Sequence, residues 1–136
     1  MKAREFARLR QRLGRTQKEM SQLLGASLTA VHSYEQGWRN IPGHVERHLL
    51  FLAAKKLYTE QRPRPCWTQM SCPRERRRSC PAWEFKAGDT CWLINGTVCR
   101  GEAQSNWTKK MQLCRKCPVL LRILDPRTPQ PERPCQ

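Results

Sequence analysis

The chain has 136 residues, enough for one ordinary domain or two small ones, and carries 26 Lys and Arg against 11 Asp and Glu, a formal net charge of +15. The excess runs through both halves, 13 basic against 5 acidic residues in 1–65 and 13 against 6 in 66–136. It favours polyanionic partners, because each Lys or Arg that neutralises a phosphate releases a counterion. No apolar run approaches the roughly 20 residues of a spanning helix, and Met1 to Arg10 lacks the apolar segment of a secretion signal, so a cytoplasmic protein without a membrane partner is expected. In a reducing compartment the eight cysteines point to metal or redox chemistry rather than structural disulfides.

In chain order, helical spacing of Phe6, Leu9 and Leu13 predicts a helix from about Lys2 to Leu13, ended by Gly14-Arg15. Thr16 is a good N-cap, with Glu19 three residues later completing a capping box. The helix it starts carries Met20, Leu23 and Leu24 on one face and stops at Gly25, which tolerates a left-handed turn. Ser27 caps the next helix, with Val31 inward and Gly37 as its stop. Two short helices joined at a glycine form the helix-turn-helix pattern, whose second helix lies in the DNA major groove. After the loop Trp38–Pro42, a further helix is expected from Pro42 or Gly43 to Tyr58, with Val45, Leu49, Leu52 and Leu57 inward. His44 and His48 stand one turn apart on it, a metal-capable spacing, but with no third ligand nearby they read as a solvated face.

Thr16-Gln17, Ser21, Gly25-Ala26-Ser27, Val31 and Tyr34-Glu35-Gln36-Gly37 resemble the Xre/Cro-type helix-turn-helix family, over about residues 3–57. The resemblance implies a lambda-repressor-like helical domain in residues 1–60 of a bacterial transcription regulator that binds double-stranded DNA as a homodimer. It also implies an Arg10–Glu35 ion pair tying the first helix to the end of the third. Gln17 would touch a phosphate, and Ser27 would cap the third helix and reach the DNA backbone. Leu28, Thr29, His32 and Ser33 would face base edges, with Arg15, Lys18, Arg39 and Asn40 as phosphate contacts at the domain's edge. This face lacks the Gln, Asn or Arg of bidentate base contacts, which shifts the expected specificity toward DNA shape and backbone contacts.

Residues 61–65, with two prolines in three positions, read as a stiff linker. A cysteine-rich domain is expected over 66–120, and a proline-rich, disordered tail over 121–136. Ile94-Asn95-Gly96-Thr97 predicts a β-hairpin on a two-residue turn. That register pairs Trp92 with Cys99 and sends Cys91 and Cys99 to opposite faces, away from a shared metal. Ser105 to about Lys116 predicts a short helix with Trp107 and Met111 one turn apart. The fold class expected overall is mainly α, with a hairpin and short helix in the second domain.

Cys66-Trp67 and Cys91-Trp92, with Cys72-Pro73, Cys80-Pro81, Cys99 and Cys114-Arg-Lys-Cys117-Pro118, resemble the small "two-CW" cysteine-rich domain, a resemblance that names a domain without an activity. All three histidines lie in the first half, so the candidate ligands are all cysteines: Cys66, Cys72, Cys80, Cys91, Cys99, Cys114 and Cys117, with Cys135 in a proline-rich setting the weakest. Four thiolates suit an iron–sulfur cluster or zinc; thiol–disulfide switching and haem stay open. The tryptophans read as packing around a small core. The expected function is a DNA-binding regulator whose cysteine-rich domain senses redox state or holds a metal or cluster. The alternative is a DNA-associated adaptor with a purely structural, zinc-held interaction module. With no acid/base motif, Gly-rich phosphate loop or Ser/His/Asp set, an enzyme is not expected.

Overall fold

The computed structural model describes residues 1–129. It is mainly helical, with one small antiparallel sheet, and divides into two compact units, Met1–Lys56 and the chain from Leu57 onward. Cys135 and the rest of 130–136, part of the expected tail, lie outside the described residues.

In the first unit, α1 (Ala3–Arg12), α2 (Gln17–Leu24), α3 (Leu28–Gln36) and the greater part of α4 (Gly43–Glu60) follow the apolar spacing closely. The Thr16 hydroxyl accepts from the Glu19 amide at 3.1 Å and the Ser27 hydroxyl from the Ala30 amide at 3.0 Å, each satisfying one amide that a helix start leaves without an intrahelical partner. Between these helices Gly25 takes the left-handed conformation (φ +63°) that a side chain would strain, so the turn needs only Gly25, Ala26 and Ser27. Phe6, Leu9, Met20, Val31, Tyr34, Val45, Leu49 and Leu50 form the buried centre. Leu23, expected on the apolar face of α2, is exposed, Leu13 and Leu52 are only half-buried, and Leu50, not expected inward, is fully buried. His44 and His48 are both exposed.

Polar groups lock the same unit. The Arg10 guanidinium forms a two-pronged ion pair with Glu35, Nε to Oε1 and Nη2 to Oε2, and its Nη1 donates to the Arg15 carbonyl at 2.8 Å. The Gln17 amide donates to the same carboxylate at 2.9 Å. One carboxylate at the end of α3 therefore collects donors from both α1 and α2.

The second unit is built from short pieces: α5 (Cys66–Gln69), α6 (Arg74–Arg78), α7 (Pro81–Glu84), a 3₁₀ turn (Cys91–Leu93), β1 (Val98–Cys99), β2 (Glu102–Ala103), α8 (Trp107–Cys114) and α9 (Pro118–Leu124). Prolines punctuate it: Pro81 and Pro118 sit in the first turns of α7 and α9, where a missing N–H costs nothing. Residues 61–65 do not hang free, since Pro63 is buried and the Gln61 amide donates to the Leu57 carbonyl at 2.9 Å. α9 runs past the boundary read at residue 120, burying Val119, Leu120 and Ile123.

The hairpin lies elsewhere than expected. Asn95-Gly96 forms a turn, but the strands pair Val98 with Ala103 and Cys99 with Glu102 across Arg100-Gly101. Arg100 (φ +56°) and Gly101 (φ +87°) both hold the positive angles of a type I′ turn, which the glycine accepts freely. Trp92 is in the 3₁₀ turn and has no strand partner, so the opposite-face separation of Cys91 and Cys99 does not arise.

The Glu35 network yields a pH prediction. Burial pushes the Glu35 carboxyl up, but the bonds from Arg10 and Gln17 and the Arg10 charge outweigh it and hold the carboxyl below its ordinary value. A carboxylate lowered by folding stabilises fully above its unfolded pKa of about 4.3 and loses that stabilisation as pH falls through the folded value. Glu35→Gln is expected to cost about 1–3 kcal/mol at pH 7, with the gap between wild-type and variant melting temperatures narrowing as pH falls below about 4. A gap that stays constant from pH 7 to pH 3 would contradict this role.

Candidate functional site

Two regions gather chemistry-bearing side chains, one in each unit. The first is the outer face of α3. Leu28, Thr29 and His32 are exposed along it, Leu28 by 49%, and Ser33 is half-buried. Their placement follows from the helix period, since Ala30, Val31 and Tyr34 turn inward. Arg15, Lys18, Arg39 and Asn40 are exposed around this helix pair. Arg15 shares its charge with Glu19 at 3.4 Å. Gln17 is half-buried with its amide on Glu35, and the Ser27 oxygen is held as the α3 cap.

Sequence reasoning passed over Trp38. It is 74% exposed, and its ring meets the His32 ring edge-on at 5.5 Å between centroids. The chain there is pinned by the Trp38 and Arg39 amides, which donate to the Ser33 carbonyl at 3.0 and 3.3 Å. Its position directly after the Gly37 stop is the one trace it leaves in the sequence, since an exposed ring follows no helical period.

The second region is a cavity of about 120 Å³ lined by all seven predicted cysteines, Cys66, Cys72, Cys80, Cys91, Cys99, Cys114 and Cys117. Each comes from a different piece of backbone. Cys66 opens α5, Cys72 lies beyond that helix, and Cys80 and Cys117 precede the prolines that start α7 and α9. Cys91 lies in the 3₁₀ turn, Cys99 in β1, and Cys114 ends α8. Cysteine at an element boundary puts sulfur where backbone direction changes, so short elements can aim many sulfurs at one space. Trp67, Trp83 and Trp92 wall the same cavity, Trp67 and Trp83 edge-on at 4.9 Å. Among the described residues no three His, Cys, Asp or Glu side chains are close enough together to form a ready-made ion site. The sulfurs border a space rather than converge on a point.

The thiols are not equivalent. The hydrogen bond from Cys91 is the main influence on Cys66 and lowers its pKa despite burial. The same bond, with burial, pushes Cys91 well above the ordinary thiol value. Burial raises Cys114 to about 11, and it also raises Cys117 and Cys72. For Cys117 the amides of Val119 and Leu120 favour the thiolate but do not overcome the loss of water. Cys66 is thus more ready to react than Cys72, Cys91, Cys114 or Cys117 in the reduced, metal-free chain.

The cavity's charge is one-sided. Arg76, Arg77 and Arg100 are among its lining residues, whereas no Asp or Glu is found among those described. Arg77 is held by its Nε, which donates to the Cys72 carbonyl at 2.9 Å, and its guanidinium lies 5.5 Å from the centre of the Trp83 ring. These arginines were read in the sequence only as part of the general basic excess.

Limited alkylation of the reduced chain with iodoacetamide at pH 7 is expected to label Cys66 ahead of Cys91 and Cys114, read by peptide mass mapping. Labelling of Cys91 or Cys114 first would contradict the assigned order.

Compared with family models, with curated proteins and with solved structures, the chain matches none of them.

Proposed function

We propose that the chain is a DNA-binding transcriptional regulator whose cysteine cavity holds an iron–sulfur cluster or another metal–thiolate centre and senses redox state or metal supply. The observation that carries the DNA half is the capped α2–α3 pair with the side chains of Leu28, Thr29 and His32 left exposed on α3. That arrangement agrees with the resemblance to Xre/Cro regulators and with the net charge of +15. On this reading Thr29 and Leu28 meet thymine methyl groups, His32 and Ser33 hydrogen-bond to base edges, and exposed Arg15, Lys18, Arg39 and Asn40 meet phosphates. Trp38 joins them, its ring fixing the orientation of His32. Two copies acting on paired half-sites one helical turn apart complete the recognition unit, in the cytoplasm.

Support for a cluster comes from the seven sulfurs around 120 Å³. Four thiolates suffice for either a cluster or zinc. A single zinc ion at ~2.3 Å from each ligand would draw four sulfurs to about 3.8 Å from one another. A polynuclear cluster brings its own iron and sulfide to fill a wider space, and the one-sided cationic lining suits an anionic centre. When bound, such a group supplies a redox change or a structural tie. The protein's part is to supply thiolates and exclude water, with Trp67, Trp83 and Trp92 as walls.

The DNA reading is tested by selecting a preferred site from random-sequence duplexes and measuring affinity for it and for random DNA by fluorescence anisotropy. Thr29→Ala combined with His32→Ala is expected to cost roughly tenfold in discrimination, at about 1 kcal/mol or less for each lost base contact, with non-specific binding nearly intact. Equal loss on both DNAs, or no selectable site, would overturn base reading by α3.

A further inference from the structure

Lys110 is 1% exposed, on the buried face of α8 beside Met111 and one turn before Cys114. Its Nζ donates to the Thr97 hydroxyl at 2.6 Å and reaches the Cys114 sulfur. The Thr97 oxygen, itself buried, also receives the Cys99 thiol at 3.8 Å. An ammonium out of water is costly unless it faces an opposite charge. Thr97 is neutral, and no carboxylate is found among the described residues that line the adjoining cavity. Among the described residues of that lining, the acidic groups able to become anions are the cysteines, with Cys114 one turn from Lys110 on α8.

We propose that Lys110 is the built-in counter-charge of a metal–thiolate centre in the cysteine cavity, donating a hydrogen bond to the Cys114 sulfur when that sulfur ligates. This rests on the reading of the cavity as a metal or cluster site and deepens it. Lys110 is a positioning residue: Thr97 aims Nζ, and Nζ stabilises the ligand sulfur in its ionised form. Four thiolates around a divalent ion or a cluster leave net negative charge, which a fixed cation one hydrogen bond away offsets. The chain supplies that cation from within, on the same helix as the ligand.

Two roles for Lys110 predict opposite outcomes. Were it only a structural element, Lys110→Met would destabilise the metal-free chain. As a counter-charge without its anion, its replacement by an apolar side chain of similar length leaves metal-free stability unchanged or higher. The test takes the full reduced chain, reconstituted without oxygen with ferrous iron plus sulfide in one arm and zinc in the other. The retention constant against a chelator is then compared for wild type, Lys110→Met and Thr97→Val. The expected result is a 10- to 100-fold loss of retention for Lys110→Met and a smaller loss in the same direction for Thr97→Val, with metal-free melting temperatures equal to or above wild type for Lys110→Met. Wild-type uptake with unchanged retention in both variants would overturn the counter-charge alone. A lowered metal-free melting temperature or failure to fold for Lys110→Met, with full retention in Thr97→Val, would also overturn it. No uptake of either metal by wild type would overturn the cavity reading itself, and the counter-charge with it.

Discussion

A thiol can be buried at little cost, whereas a thiolate cannot unless a positive charge or a metal meets it. The second unit is organised by this constraint. Seven sulfurs face a cavity, burial pushes Cys91, Cys114, Cys117 and Cys72 upward, and Arg76, Arg77, Arg100 and Lys110 stand near them without neighbouring acids among the cavity's described lining. The unit's helices are one or two turns long, its sheet has two residues per strand, and its apolar centre rests chiefly on Trp92, Met111, Val119, Leu120 and Ile123. A centre joining sulfurs from separate pieces of backbone is the kind of tie that so small a core needs.

The first unit answers a different demand, that of holding one helix face outward in fixed orientation. Ala30, Val31 and Tyr34 bury the inner side of α3, while the Glu35 carboxylate ties its end to Arg10 of α1 and Gln17 of α2. Ser27 and Gly37 define where the helix begins and ends, so Thr29 and His32 lie at known positions along it. On the proposed DNA reading, a phosphate would meet the other amide hydrogen of Gln17 and the positive end of α2. In this design the scaffold and the candidate phosphate contact are one network.

What the sequence made legible follows from which forces act locally. Caps at Thr16 and Ser27, stops at Gly25 and Gly37 and the spacing of Phe6, Leu9, Met20 and Val31 are short-range signals, and the helices of residues 1–60 came through almost to the residue. Trp38 was missed because an exposed aromatic ring carries no periodic signal. In the second half, Asn95-Gly96 carried the strongest hairpin signal, yet the pairing formed across Arg100-Gly101. Thr97, between the Asn95-Gly96 turn and β1, is buried as the acceptor of Lys110, and the 3₁₀ turn at Cys91–Leu93 takes up the residues that the earlier register needed. The density of the cysteines pointed to metal chemistry, but not to one cavity lined by all seven. That Cys91 and Cys99 belong to the same one was not expected, since the expected register separated them. α5, α6, α7 and α9 are too short to leave a period in the sequence, and the Cys72-Pro73, Cys80-Pro81 and Cys117-Pro118 pairs stood out as a cysteine pattern rather than as helix starts.

Whether the seven-cysteine cavity is a metal–thiolate site is read from the metal content of the full chain purified without oxygen: iron, acid-labile sulfide and zinc, counted together per chain. The account predicts iron and sulfide in comparable amounts, at the two to four of each that one cluster holds. Zinc at about one per chain would replace the sensing centre by a structural one and favour an adaptor over a regulator. A chain free of both, and unable to take up either on reconstitution, would contradict the metal–thiolate reading.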